Sequence, residues 1–195
     1  MPRQPSAKAH EDVLAVTWKL IASRGIDRLS VDAIAEASGV SKATIYKHWP
    51  NKEALCLEAI GRLQSKLPPG SATESPRNEM IRLLEHLGDT TRPSPLTRIM
   101  PKILGYASTN PQFLKAWADR IEEPRRARVA QLIERAVAAG ELRPDVDLAV
   151  AVHALLGPVL YARMMRTTVT AKMAERIVDM FWKAHAPDVK KTPKR

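Results

Sequence analysis

Residues 29–55, Leu-Ser-Val-Asp-Ala-Ile-Ala-Glu-Ala-Ser-Gly-Val-Ser-Lys-Ala-Thr-Ile-Tyr-Lys-His-Trp-Pro-Asn-Lys-Glu-Ala-Leu, constrain this chain more than any other stretch. Start and stop signals for helices recur there at short, fixed intervals. Ser30 is suited to N-cap a helix beginning at Val31, with Asp32 favourably placed in its first turn. Val31, Ile34 and Ala35 give that helix one apolar side, and Ala35 is small where a second helix must cross closely. Gly39 sits where the chain has to turn, because glycine takes positive φ without a Cβ penalty. Ser41 then caps a second short helix with Lys42, Ala43 and Thr44 in its first turn. Ile45 points back to the small core, and Thr44, Tyr46, Lys47 and His48 fall on or near the outer face. Trp49-Pro50 closes the helix, since the residue before proline avoids the α region. Asn51 caps a third helix beginning Lys52-Glu53-Ala54-Leu55.

A brace helix, a glycine turn and a short helix with a polar outer face are what insertion into a DNA major groove requires. The contacts sort by chemistry. Ser30 and Ser41 at helix starts, Tyr46, and Lys52 at the start of the next helix suit phosphates, which helix N-termini already attract. Lys42, Ala43, Thr44, Lys47 and His48 face outward and suit base edges. Lysine donates to guanine O6 and N7, and Thr or Ala methyls pack on the thymine methyl.

Residues 10–60 closely resemble the N-terminal domain of TetR-type (TetR/AcrR) transcriptional regulators. The matching segments are Ile21-Ala22-Ser23-Arg24-Gly25, Leu29-Ser30-Val31-Asp32-Ala33-Ile34-Ala35, Gly39-Val40-Ser41-Lys42-Ala43-Thr44-Ile45-Tyr46 and Asn51-Lys52-Glu53-Ala54-Leu55. Trp49 stands where phenylalanine is more usual in that family, and either aromatic can plug the core. The resemblance implies the same DNA-contact roles at the positions named above. A weaker likeness to the C-terminal part of some TetR regulators covers Ala136–Arg163, including Ala139-Gly140-Glu141-Leu142-Arg143 and Leu156-Gly157-Pro158.

The rest of the 195-residue chain reads as all-α. Ala, Leu, Glu, Arg and Lys recur, and alternating segments are few. Helices are expected over about 10–24, 31–38, 42–48, 52–66, 78–88, 96–107, 111–139 with a bend at Pro124, 148–166 and 171–185. That is about nine, the number the resemblance implies. Leu67-Pro68-Pro69-Gly70 opens a linker. It separates a helix-turn-helix domain at 8–66 from a larger helical domain at 78–186. Arg92-Pro93-Ser94-Pro95 is a second break.

The formal net charge of +10, from 31 basic and 21 acidic side chains, suits a polyanionic partner without identifying one. The excess is not confined to the motif. The first nine residues read either as a frayed end or as an arm able to enter a minor groove. The basic tail with Lys190, Lys191, Lys194 and Arg195 reads as a solvated end or as a source of nonspecific attraction to DNA. Cys56 is the single cysteine, so neither an intrachain disulfide nor a cysteine metal cluster is possible. The five histidines lack metal-ligand spacing, no nucleophile–base pair or phosphate-cradling loop is present, and no cofactor is implied. With no signal core and no apolar run approaching the length of a membrane span, a cytoplasmic protein without a membrane partner is expected.

Sequence-specific binding by so small a head usually needs two copies. A homodimer on a near-palindromic double-stranded operator would place two inserted helices about 34 Å or a multiple apart. The apolar helices 148–166 and 171–185 are the expected dimer surface, with Val152, Leu155, Leu156, Val159, Ile177 and Phe181 at the interface. The resemblance implies a repressor released by a small-molecule effector. Met80, Leu84, His86, Met100, Ile103, Tyr106, Phe113 and Trp117 are the candidate pocket lining, since Met and aromatic side chains suit an adaptable apolar site. A ligand-independent, DNA-organising protein is the alternative reading. An enzyme is not expected.

Overall fold

A computed structural model of the chain describes residues 7–62, 67–71, 73–89 and 95–187, the side chains of residues 95–98 excepted. The expected basic tail, most of the N-terminal arm, Leu63 and the Arg92-Pro93-Ser94 break lie outside these residues. Regular structure among the described residues is wholly helical: α1 Ala7–Arg24, α2 Val31–Ser38, α3 Lys42–His48, α4 Lys52–Gly61, α5 Pro76–Gly88, α6 Pro95–Thr109, α7 Pro111–Trp117, α8 Glu123–Ala138, α9 Leu148–Met164 and α10 Ala171–His185. A π-helical turn, Ala118–Glu122, fills the interval between α7 and α8. With α7, the π turn and α8 taken as one uninterrupted helical stretch, nine helices stand among the described residues, as the sequence led us to expect. Pro124 does not mark a simple bend. The irregularity comes just before it, as a π-helical turn.

The helices divide into two compact units: α1–α4 with α6, α7 and the π turn, and α5 with α8–α10. This division does not follow the boundaries read from sequence, which put everything after residue 78 together. Ile99, Met100, Ile103, Tyr106, Phe113, Trp117 and Ile121 share one apolar cluster with Ile21, Ile34, Ile45, Leu55 and Ile60. The sequence shows that these side chains are apolar but not which core they enter.

In the first unit, α1 packs on α2, α4 and α6. Gly25, at φ +82°, stops α1. Lys102 of α6 donates to the terminal carbonyls of Ala22 and Ser23 at 3.0 and 3.4 Å, a cation placed where the α1 dipole favours it. Cys56 is fully buried, and burial pushes its thiol up to about 12.

In the second unit, α5 packs on α8, α9 and α10. Ser75 caps α5 with Pro76 in its first turn, two residues earlier than expected. Glu79 of α5 is 3% exposed and is gripped by Arg128 and by Arg135, the latter at 2.6 Å. Arg135 also donates to the carbonyls of Ser71 and Glu74, which ties the preceding segment to α8. Gly88 lies so close to Val169 that an added Cβ would stand 2.4 Å from the valine Cβ.

The expected dimer residues need correction. Val152, Leu155, Val159 and Phe181 are buried in this unit's own core, and Leu156 and Ile177 are half-buried against it. The helical spacing 152, 155, 156, 159 on α9 and 177, 181 on α10 brings these positions to the inward side of each helix. The apolar side chains left exposed are Val150, Leu160, Tyr161 and Met164 on α9, and Met173 and Met180 on α10. A helix apolar all round therefore buries one side here and leaves the other open.

Candidate nucleic-acid interface

Three helices of the head, α2, α3 and α4, begin on the caps their sequence supplies. Ser30 Oγ accepts from the Ala33 N–H at 3.1 Å, Ser41 Oγ from the Thr44 N–H at 3.2 Å, and Asn51 Oδ1 from the Ala54 N–H at 2.8 Å. Gly39 turns the chain at φ +68°. Ile34, Ile45 and Trp49 are buried, with Ala35 and Val40 packed against them. Burying Ile45 and Trp49 on one side of α3 forces the opposite side outward. Ser41, Lys42, Ala43, Tyr46, Lys47 and His48 are all exposed, Thr44 is half-buried, and Ser30 is exposed at the start of α2. The Ser41 and Thr44 hydroxyls share a hydrogen bond at 2.9 Å, so Thr44 partly belongs to the cap. Tyr46 is 52% exposed and contributes no core ring.

Two lysines are engaged in ways that sequence did not reveal. The Lys42 ammonium forms an ion pair with Asp32 of α2. The hydrogen bond to that carboxylate raises the Lys42 pKa above its ordinary value. Lys52 is half-buried, donates to the Ile26 carbonyl at 3.3 Å, and has its ammonium 5.4 Å from the Tyr106 ring centroid. Each retains unused N–H donors, since an ammonium has three.

The exit of α3 is held at Trp49 by two groups not evident from sequence, Glu58 and His10. Trp49 Nε1 donates to Glu58 Oε2 of α4 at 2.8 Å. His10 Nε2 stands 3.4 Å from the other oxygen of that carboxylate. Its ring lies 4.6 Å from the Trp49 ring and 5.6 Å from that of His48. His48 is thus flanked by aromatic rings, while its exposed edge remains available.

The candidate pocket residues separate. Met80 and Leu84 are buried in the core of the second unit, and His86, on the same helix, is half-buried. Met100, Ile103, Tyr106, Phe113 and Trp117 are buried in the first. There Tyr106 and Phe113 meet edge to face at 5.0 Å, with Trp117 stacked beyond at 6.5 Å. Among the described residues no cluster of three or more His, Cys, Asp or Glu is placed to hold a metal, and no helix is long and apolar enough to cross a membrane.

Comparison with known proteins agrees with this geometry. A family model described as "Bacterial regulatory proteins, tetR family" matches residues 13–59, and one described as "Tetracyclin repressor-like, C-terminal domain" matches residues 71–181. The chain is 30% identical over 156 residues to YdeS of Bacillus subtilis (strain 168), named as an uncharacterized HTH-type transcriptional regulator. That match spans 78% of this chain and 76% of YdeS. Among solved structures, the TetR family transcription regulator SCO0332 superposes with a TM-score of 0.66 at 27% identity, over 92% of this chain and 100% of that one. The Flavonoid-responsive Regulator FrrA superposes with a TM-score of 0.70 at 24% identity, over 94% and 100%.

Proposed function

Because the chain belongs to the TetR family, and is therefore a DNA-binding regulator of transcription and not an enzyme, we propose that it is a homodimeric repressor that leaves its operator when a small molecule binds. The observation that carries the DNA half of this reading is the exposed outer side of α3, fixed by buried Ile45 and Trp49. Ser30, Ser41, Tyr46 and Lys52 would meet phosphates. Lys42, Ala43, Thr44, Lys47 and His48 would meet base edges. Such a regulator works in the compartment that holds the chromosome, the cytoplasm.

Six large apolar side chains exposed on α9 and α10, Val150, Leu160, Tyr161, Met164, Met173 and Met180, support pairing of two copies through these helices. Twofold pairing sets the separation of the two α3 helices, and a near-palindromic operator would match it. A ligand releases DNA only by binding one separation better than another. The aromatic group Tyr106, Phe113 and Trp117 is the strongest support for an effector site, because Tyr106 also bonds the first turn of α4. An effector that moves that ring would act on Lys52 directly. FrrA is named for its response to flavonoids; for this chain we propose only an apolar, partly aromatic effector.

The test is a footprint on the DNA flanking the chain's own gene, repeated with apolar small molecules. A discrete, twofold-symmetric footprint that one class of compound erases supports the proposal. Long, weakly selective protection that no compound alters supports the DNA-organising alternative.

A further inference from the structure

We propose that Asp32 is a specificity-determining residue: it withholds Lys42 from phosphates and presents it to the O6/N7 edge of a guanine. This deepens the DNA-binding reading above and rests on it. Asp32 lies in the first turn of α2 and Lys42 in the first turn of α3, and their side chains meet across the turn with both still more than half exposed. A phosphate that approaches Lys42 also approaches the carboxylate, and it meets a pair whose charges cancel. Counterion release gains little there. A base edge offers neutral acceptors, so the carboxylate does not oppose it. Lysine has three N–H donors, and one is enough for Asp32. The others can fork across O6 and N7 of guanine while the pair stays closed.

An acidic group on a DNA-facing surface otherwise weakens binding to a polyanion. Its place in the first turn of α2 already favours the helix start, and that effect does not need Lys42 as a partner. The pairing narrows the directions open to a long, flexible side chain, and that directional limit is what a base-reading lysine lacks alone.

The test uses the full-length chain and its Asp32→Asn, Asp32→Glu and Lys42→Ala variants, titrated against a random duplex and against operator duplexes with each base pair changed in turn, over a salt series. With Asp32→Asn we expect tighter binding to the random duplex and a log K against log[salt] slope steeper by about one per chain. At one G·C pair per half-site, discrimination should fall about fivefold or more. Asp32→Glu should restore both, and Lys42→Ala should lose the same discrimination with the slope unchanged. The proposal is overturned if Asp32→Asn leaves slope and base profile as they were, or weakens binding to all sequences alike. It is equally overturned if Lys42→Ala lowers the slope by about one, which would put that lysine on a phosphate. Should no operator exist, the DNA-regulator reading fails by itself, and the random-duplex slope still reports on Asp32.

Discussion

The Tyr106 hydroxyl donates to Glu53 Oε1 at 2.7 Å, while the face of the same ring lies against the Lys52 ammonium. Asn110, the N-cap of α7, donates to that hydroxyl at 3.1 Å. Burial first, and then the bond to Glu53, push the phenol well above its ordinary value of 10.0. The folded chain therefore keeps a proton that the unfolded chain releases near that value. The resulting stability is fully present below about pH 10 and is lost as pH rises toward the folded value. Tyr106→Phe should cost about 1–2 kcal/mol at pH 7 and flatten the alkaline decline. Urea unfolding at pH 7 and at pH 10.5 would check both, and a variant as stable as the parent would contradict the bond.

On the outer side of α3, contacts to phosphate and to bases should separate in one experiment. Tyr46→Phe and Lys52→Ala should weaken binding to all sequences alike, and Lys52→Ala should also lower the salt slope by about one. Thr44→Ala or Lys47→Ala should instead change which operator is preferred. Competition against a randomised operator library reads the difference, and an unaltered preference would remove those side chains from base reading.

If α9 and α10 pair two copies, charge on their exposed side should separate them. Met180 is 74% exposed and Tyr161 65%, so Met180→Glu or Tyr161→Glu disturbs no core of its own chain. Light scattering should show a monomer of normal helicity, with operator affinity down by at least about 100-fold. A variant that stays dimeric would move the interface elsewhere.

Gly39 and Gly88 both resist alanine, for different reasons. At Gly39 the added methyl meets nothing within 4 Å, so only the left-handed backbone objects, at about 1 kcal/mol. At Gly88 the methyl would overlap Val169, which is fully buried, and we expect about 3 kcal/mol. In a double-mutant cycle, Val169→Gly should recover part of the Gly88→Ala loss but none of the Gly39→Ala loss.

Glu79→Ala should be among the most damaging single changes in the second unit, at about 3 kcal/mol or more, because it strands Arg128 and Arg135 without their shared carboxylate. Glu79→Gln keeps the shape and some of the hydrogen bonding and should cost less. Chemical denaturation of the two variants ranks them.

The parts of the molecule visible from sequence are those set by neighbours in the chain. The caps at Ser30, Ser41 and Asn51 and the turn at Gly39 are local, and all are found where local chemistry puts them. Ser75-Pro76 carried an equally good start signal, but the surrounding prolines made it read as linker. What depends on distant packing was not visible. Nothing in sequence joins Glu53 to Tyr106, Asp32 to Lys42, or Trp49 to Glu58. An apolar helix such as α9 shows that it has partners on several sides without showing which are in its own chain.

The shared core of α1–α4, α6 and α7 means that the DNA-reading head is no detachable module. Cutting the chain after α4 would open to water the side of this core that α6 and α7 close, since Ile103, Phe113 and Trp117 belong to the same apolar cluster as Ile21, Leu55 and Ile60. Any chimera that grafts this head onto another regulator must bring α6 and α7 along, or it will transplant an open wound.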